Sequence, residues 1–164
     1  KPLVYFAVGS SGNRDLVLDV LRGLGRADCQ VLAPVRSHLH QEDLETLPHN
    51  IHVTDWIPTH QLGDAVDLAI THGGEGTVQT SCVQGWPFIG IPLQLEQRFN
   101  VQRCVAFGSA RLVSQKEARR ADWAALVREA LADDVMRSRA RRMAKLMKGL
   151  DGPGRAAEAI CKLL

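Results

Sequence analysis

Leu68-Ala69-Ile70-Thr71-His72-Gly73-Gly74-Glu75-Gly76-Thr77 is the stretch whose reading decides the architecture. A short apolar run ends at Thr71-His72-Gly73-Gly74, and a helical segment follows from near Glu75 to Gln84. A doubly buried strand that turns through glycines straight into a helix is a unit of an α/β sheet. Upstream, Leu3-Val4-Tyr5-Phe6-Ala7-Val8 reads the same way: a continuous apolar run, then the turn Gly9-Ser10-Ser11-Gly12. Leu16, Val17, Val20, Leu21 and Leu24 then recur at helical spacing, with Gly25 near the stop.

The alternation continues on both sides. Cys29 to Pro34 and Ile51-His52-Val53 read as strands, and Pro58 to Ala65 as a short helix. Downstream, Pro87 to Ile91 is a strand and Phe99 to Phe107 a helix stopped by Gly108. Ala110 to Val113 is a further short strand. Asp122 caps a helix carrying Trp123, Leu126, Val127, Ala130 and Leu131. Another helix runs from about Asp134 to Met147, Gly152-Pro153-Gly154 breaks it, and a last one covers about Arg155 to Leu164. The expectation is one α/β domain over residues 1–164, Rossmann-like, with about six parallel strands and helices on both faces. Ligands in such sheets bind beyond the carboxyl ends of the strands, which singles out the loops after strands one, three, four and five.

Composition sets limits. Hydrophobic residues make up 45% and charged residues 23%, ordinary for a globular domain. A net charge of +2 gives no reason to expect nucleic acid as a partner. No apolar run approaches the roughly 20 residues that span a bilayer. The chain opens on Lys1-Pro2 with neither a signal peptide nor an initiator Met, and reads as a piece of something longer. Cys29, Cys82, Cys104 and Cys161 are scattered, which suits buried, reduced thiols in a cytoplasmic protein. His38 and His40 stand two apart and would face different ways on a helix, a poor metal pair. Gly9-Ser10-Ser11-Gly12 matches neither the P-loop nor the dinucleotide fingerprint. Arg137, Arg139, Arg141, Arg142, Lys145 and Lys148 form a dense cationic tract, by default a solvated helix face, with peripheral contact to anionic lipid as the alternative.

His72-Gly73-Gly74-Glu75-Gly76-Thr77 admits two readings. Free N–H groups and the dipole at a helix N-terminus favour a phosphate, to which the Thr77 hydroxyl and a His72 ring nitrogen add donors. The plainer reading is a tight turn with a capping Thr and a packed His. The surrounding order bears on the choice. Trp56-Ile57-Pro58 stands upstream; Gly85-Trp86-Pro87, Pro92, Glu96-Gln97 and Asn100 follow downstream. Together these resemble the donor-binding signature of nucleotide-sugar-dependent glycosyltransferases of the two-Rossmann-domain, GT-B family-1 type, which include antibiotic and plant natural-product transferases. The motif detail spans about Val53 to Val113, and the sheet pattern agrees from Pro2 to Leu164.

The resemblance implies roles residue by residue. His72 contacts the α-phosphate; Gly74, Gly76 and Thr77 line the diphosphate pocket, and Ser10 lies near the β-phosphate. Trp56 stacks on the base while the backbone of Ile57 reads its edge. Glu96 and Gln97 hold donor-sugar hydroxyls, and Asn100 supports that loop or the phosphates. The plain alternatives are that Trp56 plugs the sheet edge, Glu96-Gln97 is a solvated helix start and Asn100 bonds a nearby backbone. Departures occur at Thr80, where the family commonly has a ribose-binding Glu, and at Thr59, where Gln is frequent. Glu96 replaces the Asp of many members.

The resemblance further implies in-line, inverting transfer of a hexose from a UDP-sugar or dTDP-sugar to an acceptor hydroxyl, with no cofactor and no metal. The catalytic base is expected in an N-terminal acceptor-binding domain absent from this chain, so no residue of the chain is assigned a catalytic role. This chain would then bind donor and turn over little alone. A stand-alone donor-binding subunit of a split transferase and a non-catalytic sugar-nucleotide-binding module are the other readings.

Overall fold

The computed structural model describes residues 1–163; the expected end of the last helix at Leu164 lies outside them. Strands β1 (Leu3–Ala7), β2 (Gln30–Ala33), β3 (Ile51–Val53), β4 (Leu68–Thr71), β5 (Phe88–Gly90) and β6 (Ala110–Leu112) form one sheet in the order β3-β2-β1-β4-β5-β6. Every pairing is parallel. The order reverses between β1 and β4, whose register sets Tyr5 beside Ala69 and Ala7 beside Thr71. Crevices at such a reversal are where doubly wound sheets bind ligands.

The helices are α1 (Arg14–Leu24), α2 (Gln41–Glu45), α3 (Glu75–Gln84), α4 (Leu95–Phe107), α5 (Gln115–Ala118), α6 (Trp123–Ala132), α7 (Asp134–Met147) and α8 (Gly152–Cys161). Alternating strand residues point to opposite faces, so each uninterrupted apolar run feeds two cores. Val4, Phe6, Val8, Leu68, Ile70, Ile89 and Ile91 pack with Leu16, Leu21 and Leu24 of α1 and Trp123 of α6. Tyr5, Ala7, Ala69 and Phe88 pack on the other face with Cys82 of α3 and Val101 and Cys104 of α4; Met143 and Met147 of α7 lie against them.

Several expected boundaries are corrected. Residues 58–65 form no single helix but two 3-10 turns, Thr59–Gln61 and Gly63–Ala65, because Gly63, which opens the second, adopts φ +47°. Helix α4 begins at Leu95 rather than Phe99: Gln94 and Gln97 form a reciprocal capping box that starts it earlier. Gly152-Pro153-Gly154 does not precede the last helix but forms its first turn, capped by the Asp151 carboxylate accepting from the Gly154 N–H. Cys161 is exposed, unlike the other three cysteines, and all four are free. No helix among the described residues is long and apolar enough to cross a membrane.

Candidate functional site

Loops from three strands meet at the switch point. After β1 come Gly9 and Ser10; after β3, Trp56 and Ile57; after β4, His72 and the start of α3. They line a cleft of about 550 Å³ that holds Ser10, Trp56, Ile57, His72, Gly74, Gly76, Thr77 and Thr80 together. Eight of the eleven residues singled out from sequence thus share one hollow, although they span seventy positions of the chain.

His72 anchors the cleft. Its ring is buried, wedged between two glycines: a Cβ on Gly9 would stand 2.8 Å from Cε1, and one on Gly74 2.4 Å from Nε2. Side chains at either position would evict the ring, which is why the turn needs glycine there. Nδ1 is buried with no hydrogen-bond partner among the described residues. Burial pushes the imidazole below its ordinary value of 6.5, with the Ala7 carbonyl and the Glu96 carboxylate pulling weakly upward. A depressed pKa means that the unfolded chain takes up the proton more readily than the folded one. Stability is therefore fully present above about pH 6.5 and is lost as pH falls toward the folded value. Between pH 8 and pH 5.5 the parent's melting temperature should fall further than that of His72→Gln, which has no proton to gain; equal falls would show that His72 carries no such linkage.

Gly74 caps α3 without any side-chain acceptor among the described residues, so the first N–H groups of the helix go uncapped, and Gly74, Glu75, Gly76 and Thr77 line the cleft. The neighbouring hydroxyls are tied together: Thr71 Oγ1 donates to Thr77 Oγ1 at 2.7 Å, and Thr77 Oγ1 donates to the Gly74 carbonyl at 2.9 Å. Thr80 Oγ1 donates to the Gly76 carbonyl at 2.8 Å, one turn further along the cleft wall. A Cβ on Gly76 would meet nothing within 4 Å, so the backbone there faces open space. Trp56 is 77% exposed and does not plug the sheet edge.

Glu96, Gln97 and Asn100 sit beside the cleft on the first turns of α4 and do not line it. Gln97 is buried, and its amide is engaged at both ends. Its Oε1 accepts from the N–H groups of Leu93 (2.9 Å) and Gln94 (3.2 Å), while Nε2 donates to Ser11 Oγ at 3.2 Å. It thereby ties the loop after β1 to the loop after β5. Asn100 Nδ2 donates to the Gly73 carbonyl at 3.1 Å and also to Glu96 Oε1, which fixes the glycine turn from behind.

Tyr5, Asp55, Thr59 and Glu75 also line the cleft, and the sequence reading gave none of them a role. Asp55 and Glu75 adjoin residues that were singled out, so adjacency was the available signal. Tyr5 carried none, because a strand residue buried on both faces looks the same at either end of the sheet. His38 serves the loop after β1, with Nε2 2.7 Å from the Gly9 carbonyl oxygen, and His40 caps α2. Among the described residues no group of three or more His, Cys, Asp or Glu side chains is placed to hold a metal ion.

Comparison with known proteins adds an independent line. A sequence profile described as the erythromycin biosynthesis protein CIII-like C-terminal domain matches residues 18–163. A PGL/p-HBAD biosynthesis glycosyltransferase of Mycobacterium tuberculosis is 28% identical over 145 residues, covering 88% of this chain and 33% of that protein. The chain thus spans about a third of the length of that curated relative. The structure of CalG4, a calicheamicin glycosyltransferase, superposes with a TM-score of 0.82 at 25% identity, over 97% of this chain and 42% of that one. The glycosyltransferase VinC, solved in complex with dTDP, shares the fold with a TM-score of 0.75 at 21% identity, over 92% of this chain and 38% of that one.

Proposed function

We propose a function on the premise that the chain belongs to the family of the erythromycin biosynthesis protein CIII-like C-terminal domain: it is the donor-binding domain of an inverting glycosyltransferase. In this reading the diphosphate of a UDP-sugar or dTDP-sugar lies on the N-terminus of α3, and the base stacks on Trp56. The observation that carries it is the convergence of an uncapped helix N-terminus, the His72 ring and an exposed tryptophan on one cleft.

The chemistry asked of the site is stabilisation of a departing nucleoside diphosphate. Helix N–H groups and the His72 ring would act as fixed dipoles where that charge develops, so they need no reorganisation during reaction. Thr77 would turn its hydroxyl from the Gly74 carbonyl to a phosphate oxygen. No metal is invoked. In this reading the exposed Glu96 meets hydroxyls of the donor sugar, while Gln97 acts by holding the loops after β1 and β5 in register. The base that activates the acceptor hydroxyl, and the acceptor itself, belong to an N-terminal domain of the full-length protein. This chain alone holds donor without turning it over. Four free thiols support a reducing, cytoplasmic setting for the reaction.

Tryptophan fluorescence tests the reading directly. Trp86 and Trp123 are 3% and 1% exposed, so nucleotide added from solution reaches Trp56 alone. Saturable quenching by dTDP or UDP that disappears in Trp56→Leu is the expected result. Quenching that survives the substitution, or none at millimolar nucleotide, would refute the stacking role.

Gly76→Ala separates binding from folding. The added methyl meets no protein atom and removes the conformational penalty of glycine in a helix, up to about 0.5–1 kcal/mol. It also enters the space that a bound phosphate would fill. Melting temperature should hold or rise while nucleotide affinity falls. A fall in both would point to a structural role for Gly76 instead.

A further inference from the structure

Helix α7 carries a charge pattern that the donor cleft leaves unused. Residues 134–148 hold six cationic side chains against the single carboxylate of Asp134, in a chain whose net charge is only +2. The remainder of the chain is therefore net negative. Of the six, only Arg137 has a carboxylate within ion-pair distance among the described residues. Met136 and Ala140 point inward and are buried. Ser138, Arg141, Arg142 and Lys145 recur at i, i+3, i+4 and i+7 on the opposite side, and all four are exposed. Two aliphatic side chains flank this stripe: Val135 is 69% exposed and Leu146 55%. Arg137, Arg141 and Lys145 follow one another at i, i+4, a like-charge spacing that weakens a helix; they share a hollow with Asp64 and Asp67, neither of which comes within ion-pair distance of them among the described residues.

We propose that this face of α7 docks on an anionic lipid bilayer. The stripe supplies charge complementary to acidic headgroups, and such cations strengthen surface binding by about fivefold each. Val135 and Leu146 supply aliphatic groups of the kind that settle at the headgroup boundary. A surface for single-stranded nucleic acid would instead call for aromatic rings among the cations, and residues 134–148 contain none. The position suits a docked protein that still binds solutes. A Cβ on Gly85, at the carboxyl end of α3, would lie 3.4 Å from Arg141 Cα and 3.2 Å from Ala144 Cβ. The cleft sits at the other end of that ten-residue helix, about 15 Å away, so bilayer contact through α7 leaves it open.

The test is co-sedimentation of the chain with vesicles of phosphatidylcholine alone and of phosphatidylcholine mixed with phosphatidylserine. Binding to the mixed vesicles only, released by high salt, is the expected result. The triple variant Arg141→Glu, Arg142→Glu, Lys145→Glu should lower partitioning by more than about a hundredfold. The matching triple glutamine variant should fall between, and it carries the test if charge reversal disturbs the fold by circular dichroism. Equal binding to neutral vesicles, none to anionic ones, unchanged partitioning of both variants, or equally tight binding of duplex DNA would each overturn the proposal.

Discussion

Replacing His72 with alanine is expected to lower the affinity of the chain for dTDP or UDP by more than about tenfold. The ring's position is the reason. Packed between Gly9 and Gly74, the imidazole borders the N–H groups that open α3, and its Nδ1 has no partner among the described residues. A hydrogen bond to a charged group contributes about 1.5–3 kcal/mol, and about 1.4 kcal/mol is one decade in affinity. The depressed pKa fits a ring that is neutral when the cleft is empty and donates through one nitrogen. Removing the side chain empties a buried space but also removes an unsatisfied buried atom, so the loss of stability should be smaller than a usual core truncation of about 2–5 kcal/mol. Isothermal titration of both chains measures the affinity. An affinity unchanged by the substitution would detach His72 from the phosphate.

Gly73→Ala should be the most destabilising of the glycine substitutions in the site loop. Gly73 adopts φ +85°, and a Cβ there would stand 2.5 Å from Val101 Cγ2 and 2.8 Å from the Gln97 carbonyl oxygen. The left-handed conformation costs a non-glycine residue about 1–2 kcal/mol, and overpacking against a fixed backbone oxygen adds about 1–3 kcal/mol. The expected loss is about 3 kcal/mol, or roughly 10 °C in melting temperature for a domain of this size. Gly149→Ala, where an added Cβ meets nothing within 4 Å, serves as the control and should melt with the parent. If the two variants melt together, the turn is softer than its geometry indicates.

β1, β4 and β5 were legible because each is buried on both faces and so reads as an uninterrupted apolar run. β3 and α3 have the bounds expected of them, and α7 matches at both ends. Two of the misread boundaries share one cause: helix starts are set by polar capping, which leaves no apolar periodicity to follow. Gln94 with Gln97 starts α4, and Asp151 starts α8 across a Gly-Pro-Gly that looks like a break. Helices α2 and α5 and the 3-10 turn Arg36–His38 passed unread, being too short to show a helical period.

The site was legible in a different way. A glycine turn into a helix marks a candidate phosphate seat locally, but nothing local joins Ser10, Trp56 and His72. Their meeting follows from the strand order, which sets the carboxyl ends of β1 and β4 side by side with β3 two strands away. The engagement of Gln97 was not readable, because both ends of its amide depend on where the loops after β1 and β5 come to lie.

The central claim is that the cleft at the N-terminus of α3 seats a nucleoside diphosphate. Titration of isotope-labelled chain with dTDP and with UDP, followed residue by residue through amide and indole resonances, tests it most directly. The largest shifts are expected at the amides of Gly74 to Thr77 and at the Trp56 indole, fainter ones at Ser10, and none along the exposed stripe of α7. Shifts centred on that cationic stripe, or no shifts at millimolar nucleotide, would contradict it.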